Sequence, residues 1–412
     1  MATEQLAMYR QYASFIKRMV FCSGLWPVTK TESSYFYRHL PILTIFSGTF
    51  MCYGGITFCI ENLDNIKVFT KGLSPLGGFA LVVVKVMMFF LYRKQLRELN
   101  YNLESMFEEI LEKIHYRPVV FSLLNLFRRP AYMIYYLMVF TVLSYICRAF
   151  LLIIYQIIKN IDPKYYPLPY PAIFPWLDGS FNFRYQIQFL FELQFGWFMV
   201  FVTSGVDTAY GFYIFQMVGI LRAMSLECEK VGKSSDELDI ILLRNCIKKE
   251  ILLLRCRDII QNVYGPVVLN LIVSSVIVLC GLIFQMFQVR LNNLFILFYI
   301  LLFIEKTEIS IEKVVMVVLY GLLKMTQAFI YSWYGNILAV ESETFRRNVY
   351  CCGWYEDGNI KLMKDVLFIL TQKPIVLTAC HFFHISLDLF VKILNTSLSY
   401  YFLLQTIDET YN

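Results

Sequence analysis

The chain has 412 residues, enough for two or three soluble domains, but 58% of them are hydrophobic and only 17% are charged. Soluble proteins have roughly 45–50% and 25%. Together with a mean hydropathy of +0.55, this composition excludes an ordinary soluble protein and predicts a polytopic membrane protein. The net charge of +6 is spread along the chain, so it indicates no nucleic-acid surface. The 11 cysteines form no C-x-x-C pairs, so no zinc site or disulfide framework is predicted.

Apolar runs of about 20 residues predict an all-α fold with seven transmembrane helices. The predicted spans are Arg38–Ile60, Leu73–Tyr92, Ala131–Ile158, Gln186–Leu221, Val263–Gln288, Val314–Val340 and Ile375–Ile407. A further apolar run, Leu294–Ile304, is short and fits a loop or a re-entrant segment better than a span. If it did cross the membrane, the carboxyl terminus would change sides.

The distribution of lysine and arginine predicts the orientation, because these residues concentrate in cytoplasmic loops. Of the 37, 25 lie in the amino-terminal segment and the loops that share its side, and 8 lie in the loops of the other side. We therefore expect a cytoplasmic amino terminus and an extracellular carboxyl terminus. G-protein-coupled receptors have the opposite orientation, and their Asp-Arg-Tyr-like and Asn-Pro-x-x-Tyr motifs are missing from the corresponding segments.

The same pattern divides the chain into four regions. Residues 1–35 form a cytoplasmic amphipathic segment, and residues 36–340 carry the first six spans with an outer ligand pocket. Residues 341–374 form a cytoplasmic anchor region, and residues 375–412 form the seventh helix with a short extracellular tail. Because proline disfavours helix in the residue before it, Pro374 should separate one helix, Asp357–Thr371, from the last span.

The predicted outer loop Lys159–Arg184 is rich in proline and tyrosine. Its prolines predict a stiff, non-helical strap. One interpretation is a loop that lies along the membrane interface with aromatic anchors. The other is a lid over a cavity that opens outward.

Several motifs together resemble the insect odorant receptor family. They are Gly24-Leu25-Trp26-Pro27, Tyr334-Gly335-Asn336 with Glu341-Ser342, Trp354-Tyr355, Gln372-Lys373-Pro374, Ser386-Leu387-Asp388-Leu389-Phe390 and Ser399-Tyr400-Tyr401-Phe402. The length, the inverted topology and the short cytoplasmic loops agree over the whole chain. The stretch Asn292–Ser310 departs from the family pattern.

The resemblance implies the odorant-binding subunit of a tetrameric, ligand-gated, non-selective cation channel that assembles with a shared co-receptor. It implies a multi-pass protein in the plasma membrane of olfactory sensory neurons, with a small volatile ligand, lipid and permeating cations as partners and no cofactor. The co-receptor has a much longer fourth-to-fifth loop than Arg222–Arg257, so this chain resembles a tuned subunit. A gustatory receptor-type channel is the alternative, since Ser399-Tyr400 and Gln405-Thr406 partly match its terminal pattern.

One face of the predicted seventh helix has the character of a pore wall. Its members recur at spacings of three and four residues and change from charged to hydroxyl to apolar: Lys392, Thr396, Ser399, Leu403 and Ile407. Spacing alone favours ordinary helix packing, whereas the family's gate positions align with Leu403 and Ile407 and imply a hydrophobic gate. Asp388 stands four residues before Lys392, an order that favours a helical ion pair. Ionisable residues within a span are also candidates for function, so a role in conduction is the alternative.

A membrane-embedded metal enzyme is a weaker alternative. His381, His384 and Asp388 would share a helix face and could bind a metal ion. The chain has only 4 histidines, so three firm ligands and a positioned base are difficult to assemble. Histidines that pack between helices are the simpler interpretation, and we expect no enzyme.

A volatile ligand requires an aromatic pocket with few polar groups, and in this family it lies between the outer halves of the second, third, fourth and sixth helices. The candidates are Phe79, Val83, Ser144, Cys147, Leu151, Phe191, Phe195, Phe198, Tyr320, Leu323 and Gln327. Three basic residues fall within the spans, namely Lys85, Arg148 and Lys324. Such charges are costly unless paired or hydrated, and Glu192 and Asp207 are the candidate partners.

Overall fold

The apolar segments lie on long helices in the computed structural model, which describes residues 2–28, 34–160, 166–177, 180–232, 236–288, 311–355 and 359–411. In chain order the elements are α1 (Ala2–Cys22), α2 (Tyr35–Glu61), α3 (Ile66–Leu91), α4 (Arg93–Glu112), a 3₁₀ turn (Ile114–Tyr116), α5 (Arg117–Phe121), α6 (Leu124–Ile158), α7 (Phe183–Cys228), α8 (Asp236–Gln288), α9 (Ile311–Cys351), α10 (Ile360–Thr371), β1 (Thr378–Ala379), β2 (Phe383–His384) and α11 (Leu387–Tyr411). The run Leu294–Ile304 lies outside the described residues.

The helices of this fold are long enough to cross a bilayer. Within the described parts of the chain, α2, α3, α6, α7, α8 and α9 are both long and apolar enough to do so. Helix α11 has 25 residues, about 37 Å at 1.5 Å per residue, which also exceeds the roughly 30 Å of a hydrocarbon core. The described architecture therefore fits a seven-span, all-helical membrane protein.

Helix α7 is the centre of the bundle. It packs against α6, α9 and α1, while α3 lies between α2 and α8. The amphipathic α1 presents Tyr12, Ile16 and Val20, four residues apart, to this core, and all three are buried. Apolar positions at this spacing lie on one helix face, which explains why a helix of low overall hydropathy is held against the bundle.

The segment before α11 corrects the predicted last span. The sequence predicts one helix over Ile375–Ile407, but β1 and β2 form an antiparallel hairpin first, and the helix begins at Leu387. Cys380 and His381 adopt positive φ at the turn. Burial alternates through the segment that leads into β1, where Ile375, Leu377 and Ala379 are buried. A period of two is typical of a strand, so the apolar character of this segment reflects burial in a hairpin.

The anchor helix lies close to its predicted position. Helix α10 begins at Ile360, where the Asn359 side chain accepts hydrogen bonds from the amides of Lys361 and Leu362, an N-cap that stabilises the first turn. It ends at Thr371, before Pro374. The predicted helix starts at Asp357, and residues 356–358 are outside the described chain.

Candidate ligand cavity and pore-lining face

A buried ionic cluster joins three helices in the middle of the bundle. Lys85 Nζ of α3 lies 2.6 Å from Asp207 Oδ1 of α7, and both side chains are fully buried. Gln327 and Tyr331 of α9 each donate to the same carboxylate at 2.7 Å. Asp207 is therefore the ion-pair partner of Lys85, one of the two partners that the sequence offered, and each of its oxygens accepts one hydrogen bond from α9.

The other candidate carboxylate has a different role. Glu192 of α7 is buried and accepts hydrogen bonds from the Tyr170 amide and from Gln188 Nε2, each at 3.1 Å. It therefore fixes the loop before α7 instead of pairing with a basic residue. Lys324 is also buried, and its Nζ lies 5.8 Å from the centre of the Tyr320 ring, within the range of a cation–π contact.

The described part of the proline-rich loop, residues 166–177, is packed onto one end of the bundle; we call it the strap. The Ile173 amide donates to the Gly54 carbonyl of α2 at 3.1 Å. Phe174 occupies the space over Gly54, where an added Cβ would come within 2.4 Å of its ring. The Tyr185 hydroxyl donates to the Pro167 carbonyl at 3.1 Å. These contacts hold the strap against α2 and α7.

A cavity of about 530 Å³ lies between the strap and the ends of α2, α3, α6, α8 and α9. Its walls include Phe58, Asn62, Lys71, Ser74, Tyr145, Arg148, Leu152, Tyr166, Pro167, Tyr170, Phe174, Leu282, Met316 and Tyr320. The volume is typical of small-molecule sites, which range over about 300–1,000 Å³. Because the strap forms one wall, the structure favours the lid interpretation of this loop.

Of the predicted ligand-binding residues, Tyr320 lines this cavity. Phe79 lies just beneath it, with its ring centre 5.4 Å from the rings of both Tyr170 and Phe195. Phe191 packs edge-on against Phe50, 5.0 Å away. These aromatic residues are therefore brought together under the strap.

The remaining candidates lie elsewhere among the helices. Leu323 and Gln327 are buried one and two turns beyond Tyr320, the latter bonded to Asp207. Cys147 and Leu151 are exposed on the outer surface of α6. The others are partly buried and are not among the lining residues: Val83, Ser144 and Phe198. The sequence did not predict that residues of the strap or Lys71 line the cavity. The clustered prolines and tyrosines could have indicated that the strap does.

The predicted pore-lining face of α11 is exposed in the single chain. Lys392, Thr396, Ser399 and Leu403 are all exposed, and the side chain of Ile407 lies outside the described residues. The neighbouring face, about 100° around the helix axis, is buried and contacts α8 and α9 through Leu389, Ile393, Ser397 and Tyr401. A face with hydroxyl groups that the bundle leaves uncovered is available to line a shared pore.

The structure changes two interpretations of this region. Asp388 and Lys392 are both exposed and form no ion pair within the described structure, which leaves the role in conduction as a prediction. His381 and His384 lie on the hairpin, not on a helix face with Asp388, and His381 Nδ1 is 3.1 Å from Gln261 Nε2. Among the residues that the structure describes, no group of three or more His, Cys, Asp or Glu side chains could hold a metal ion.

Comparisons with known proteins agree over nearly the whole chain. A family model described as 7tm odorant receptor matches residues 65–398. Odorant receptor 13a of Drosophila melanogaster is 23% identical over 420 residues, covering 93% of each chain. The odorant receptor coreceptor of Aedes aegypti is 29% identical over 86 residues, covering 21% of this chain and 18% of that protein.

The fold is shared with a solved receptor. The structure of the insect olfactory receptor OR5 from Machilis hrabei in complex with eugenol has a TM-score of 0.76 and 15% identity, covering 98% of this chain and 100% of that one. The structure of the same receptor described without eugenol has a TM-score of 0.73 and 16% identity. At this identity the likeness establishes the fold.

Proposed function

This chain belongs to the 7tm odorant receptor family, and on that premise we propose that it is the tuned, odorant-binding subunit of a ligand-gated, non-selective cation channel. The match to a tuned receptor extends over 93% of the chain, whereas the match to a co-receptor extends over 21%. This difference supports a tuned subunit that assembles with a co-receptor over a membrane protein that acts alone. In the proposed assembly the two kinds of subunit form a tetramer in the plasma membrane of olfactory sensory neurons.

In this proposal the ligand binds in the cavity under the strap. The cavity joins a volume suited to a small molecule with aromatic walls and a few polar groups, the combination that binds compact organic ligands. In this proposal the strap end faces the outside of the cell and α10 faces the cytoplasm, as the lysine and arginine distribution predicts. Ligand enters beside the strap and contacts Tyr320, while Phe79 and Phe195 support the floor of the site.

In this proposal the exposed face of α11 lines the ion-conducting pore. In an assembly, Thr396 and Ser399 would face water, and Leu403 with Ile407 would form an apolar constriction that closes by dewetting. A ligand opens such a gate only to the extent that it binds the open state more tightly than the closed state.

Shortening the gate side chain tests this proposal. We expect Leu403→Ala to raise the ligand-free current of the chain co-expressed with the co-receptor, because the constriction loses apolar bulk. The measurement is whole-cell current before and after ligand, normalised to surface expression. The matched control is Leu398→Ala, a leucine of α11 that is also exposed but faces another direction. Equal basal currents in all three proteins would remove Leu403 from the gate.

A further inference from the structure

The cavity beneath the strap has an uneven charge. Its described lining includes the cationic Lys71 and Arg148 and the hydroxyl groups of Ser74, Tyr145 and Tyr170, and it includes no aspartate or glutamate. A neutral, purely apolar ligand needs no cation in its site, and Arg148 is half-buried there, where an unpaired charge is costly to hold. Building on the proposed function, we propose that this chain is tuned to small organic acids that bind as carboxylates, with Arg148 as the residue that recognises the anion.

Arg148 is positioned to bind a carboxylate, and its donors are available for one. It lies on α6, half-buried, three residues after the lining Tyr145 and next to the lining Ala149. Within the described chain its guanidinium makes no ion pair or hydrogen bond. The buried carboxylate of this end of the bundle, Glu192, is already bound by Gln188 and the Tyr170 amide. A guanidinium offers a planar pair of donors that matches the two oxygens of a carboxylate.

Tyr170 lines the same cavity with its ring, and its hydroxyl is directed towards α7. Its side chain is 3% exposed, and among the described residues its hydroxyl has no hydrogen-bond partner. A buried hydroxyl without a partner is uncommon in folded proteins. Its ring centre lies 5.2 Å from that of Tyr145, which is three residues from Arg148. The hydroxyl lies against Gly196 of α7, where an added Cβ would come within 2.9 Å of it, so the recognition of the anion is assigned to Arg148.

The rest of the lining suits the hydrocarbon part of such a ligand. Leu152, Phe174, Leu282 and Met316 provide apolar walls, and Phe174 is fixed by its contact with Gly54. The site therefore joins an anion-binding end to an apolar end. Among analogues of equal chain length, those with a carboxylate should therefore bind more tightly. Among acids, the size and shape of the hydrocarbon part should determine which ones bind.

Binding can be measured without channel opening. The purified chain in complex with the co-receptor is heated at pH 7.4 with a panel of straight-chain and phenyl-substituted carboxylates, hexanoate and phenylacetate among them, each paired with its alcohol. Carboxyl groups with a pKa of about 4–5 are ionised at this pH. We expect at least one acid to raise the melting temperature at a concentration roughly tenfold or more below that of its alcohol, since tenfold corresponds to about 1.4 kcal/mol. Alcohols as effective as every acid would overturn the proposal.

Variants assign the preference to Arg148. In whole-cell recordings with the co-receptor, Arg148→Gln should lose the tenfold preference for the acid, and Arg148→Lys should keep part of it. Arg184→Gln is the matched control, because Arg184 is exposed near the start of α7 and does not line the cavity. An unchanged preference in Arg148→Gln contradicts the assignment. Currents evoked by alcohols and not by acids overturn the acid preference and leave the receptor function intact. If no probe evokes current and Leu403→Ala opens no channel, it is the receptor function that fails.

Discussion

At the scale of single residues, the Lys85–Asp207 pair is the main polar feature of the bundle core. The two charged groups lie 2.6 Å apart and are fully buried. Gln327 and Tyr331 donate hydrogen bonds to the same carboxylate. Taking two ions out of water is costly, and the cost is recovered only when the pair is well bonded. This cluster therefore fixes how α3, α7 and α9 are positioned relative to one another.

Removing the negative charge should destabilise the fold. We expect Asp207→Asn to lower the free energy of unfolding by roughly 3–5 kcal/mol, because Lys85 would stay buried without its partner. Thermal unfolding of the detergent-solubilised protein, followed by size-exclusion chromatography, measures this. The control is Asp258→Asn, which breaks an exposed pair with Arg257 and should change stability by less than about 1 kcal/mol. Equal effects of the two variants would contradict the role of the buried pair.

The sequence identified which residues in the spans needed partners but not all of the partners. Lys85, Arg148 and Lys324 are recognisable because charges within apolar runs are rare. Asp207 was available as a partner, and the structure confirms it for Lys85. Glu192 was equally available and instead binds the strap. The choice depends on the rotation of each helix about its axis, which one sequence does not determine.

At the scale of elements, helices with long apolar runs were predictable, and the hairpin before α11 was not. Each of the seven apolar runs lies largely on one helix, but most of these helices extend beyond the predicted bounds: α8 begins at Asp236 and α9 ends at Cys351. The exception, residues 375–386, is equally apolar, but its burial comes from close packing against neighbouring helices. An added Cβ at Gly335 of α9 would lie 2.4 Å from the Ile385 carbonyl oxygen. This close approach explains the glycine in Tyr334-Gly335-Asn336 and depends on tertiary contacts.

The strap depends on a similar contact, which can be tested. Gly54→Ala should push Phe174 away from α2, because the new methyl group would lie 2.4 Å from its ring, and overpacking of this kind destabilises by about 1–3 kcal/mol. Dose–response recordings with the co-receptor should show a loss of ligand potency of roughly tenfold or more. Gly281→Ala is the control, since its nearest neighbour would be at an ordinary 3.7 Å. Equal ligand potencies in the two variants would show that the position of the strap does not affect ligand binding.

At the scale of the whole molecule, one chain presents a covered cavity at one end and an exposed face on its last helix. The strap covers a cavity at one end, while the hydroxyl-bearing face of α11 is exposed along the bundle. A pore wall made by one helix requires further copies or partners to close it. The single chain thus fits the proposed role as one subunit of an assembly, with the proposed ligand site and the proposed pore face in different parts of the fold.

Whole-cell recording of this chain with and without the co-receptor, over an odorant panel that includes acids and alcohols, tests the central claim most directly. Surface labelling confirms that both proteins reach the plasma membrane in each case. We predict a dose-dependent inward cation current only when the two are co-expressed. A current of the same size from this chain alone would identify a gustatory-type channel. No evoked current from the co-expressed pair at any odorant concentration would contradict an odorant-gated channel.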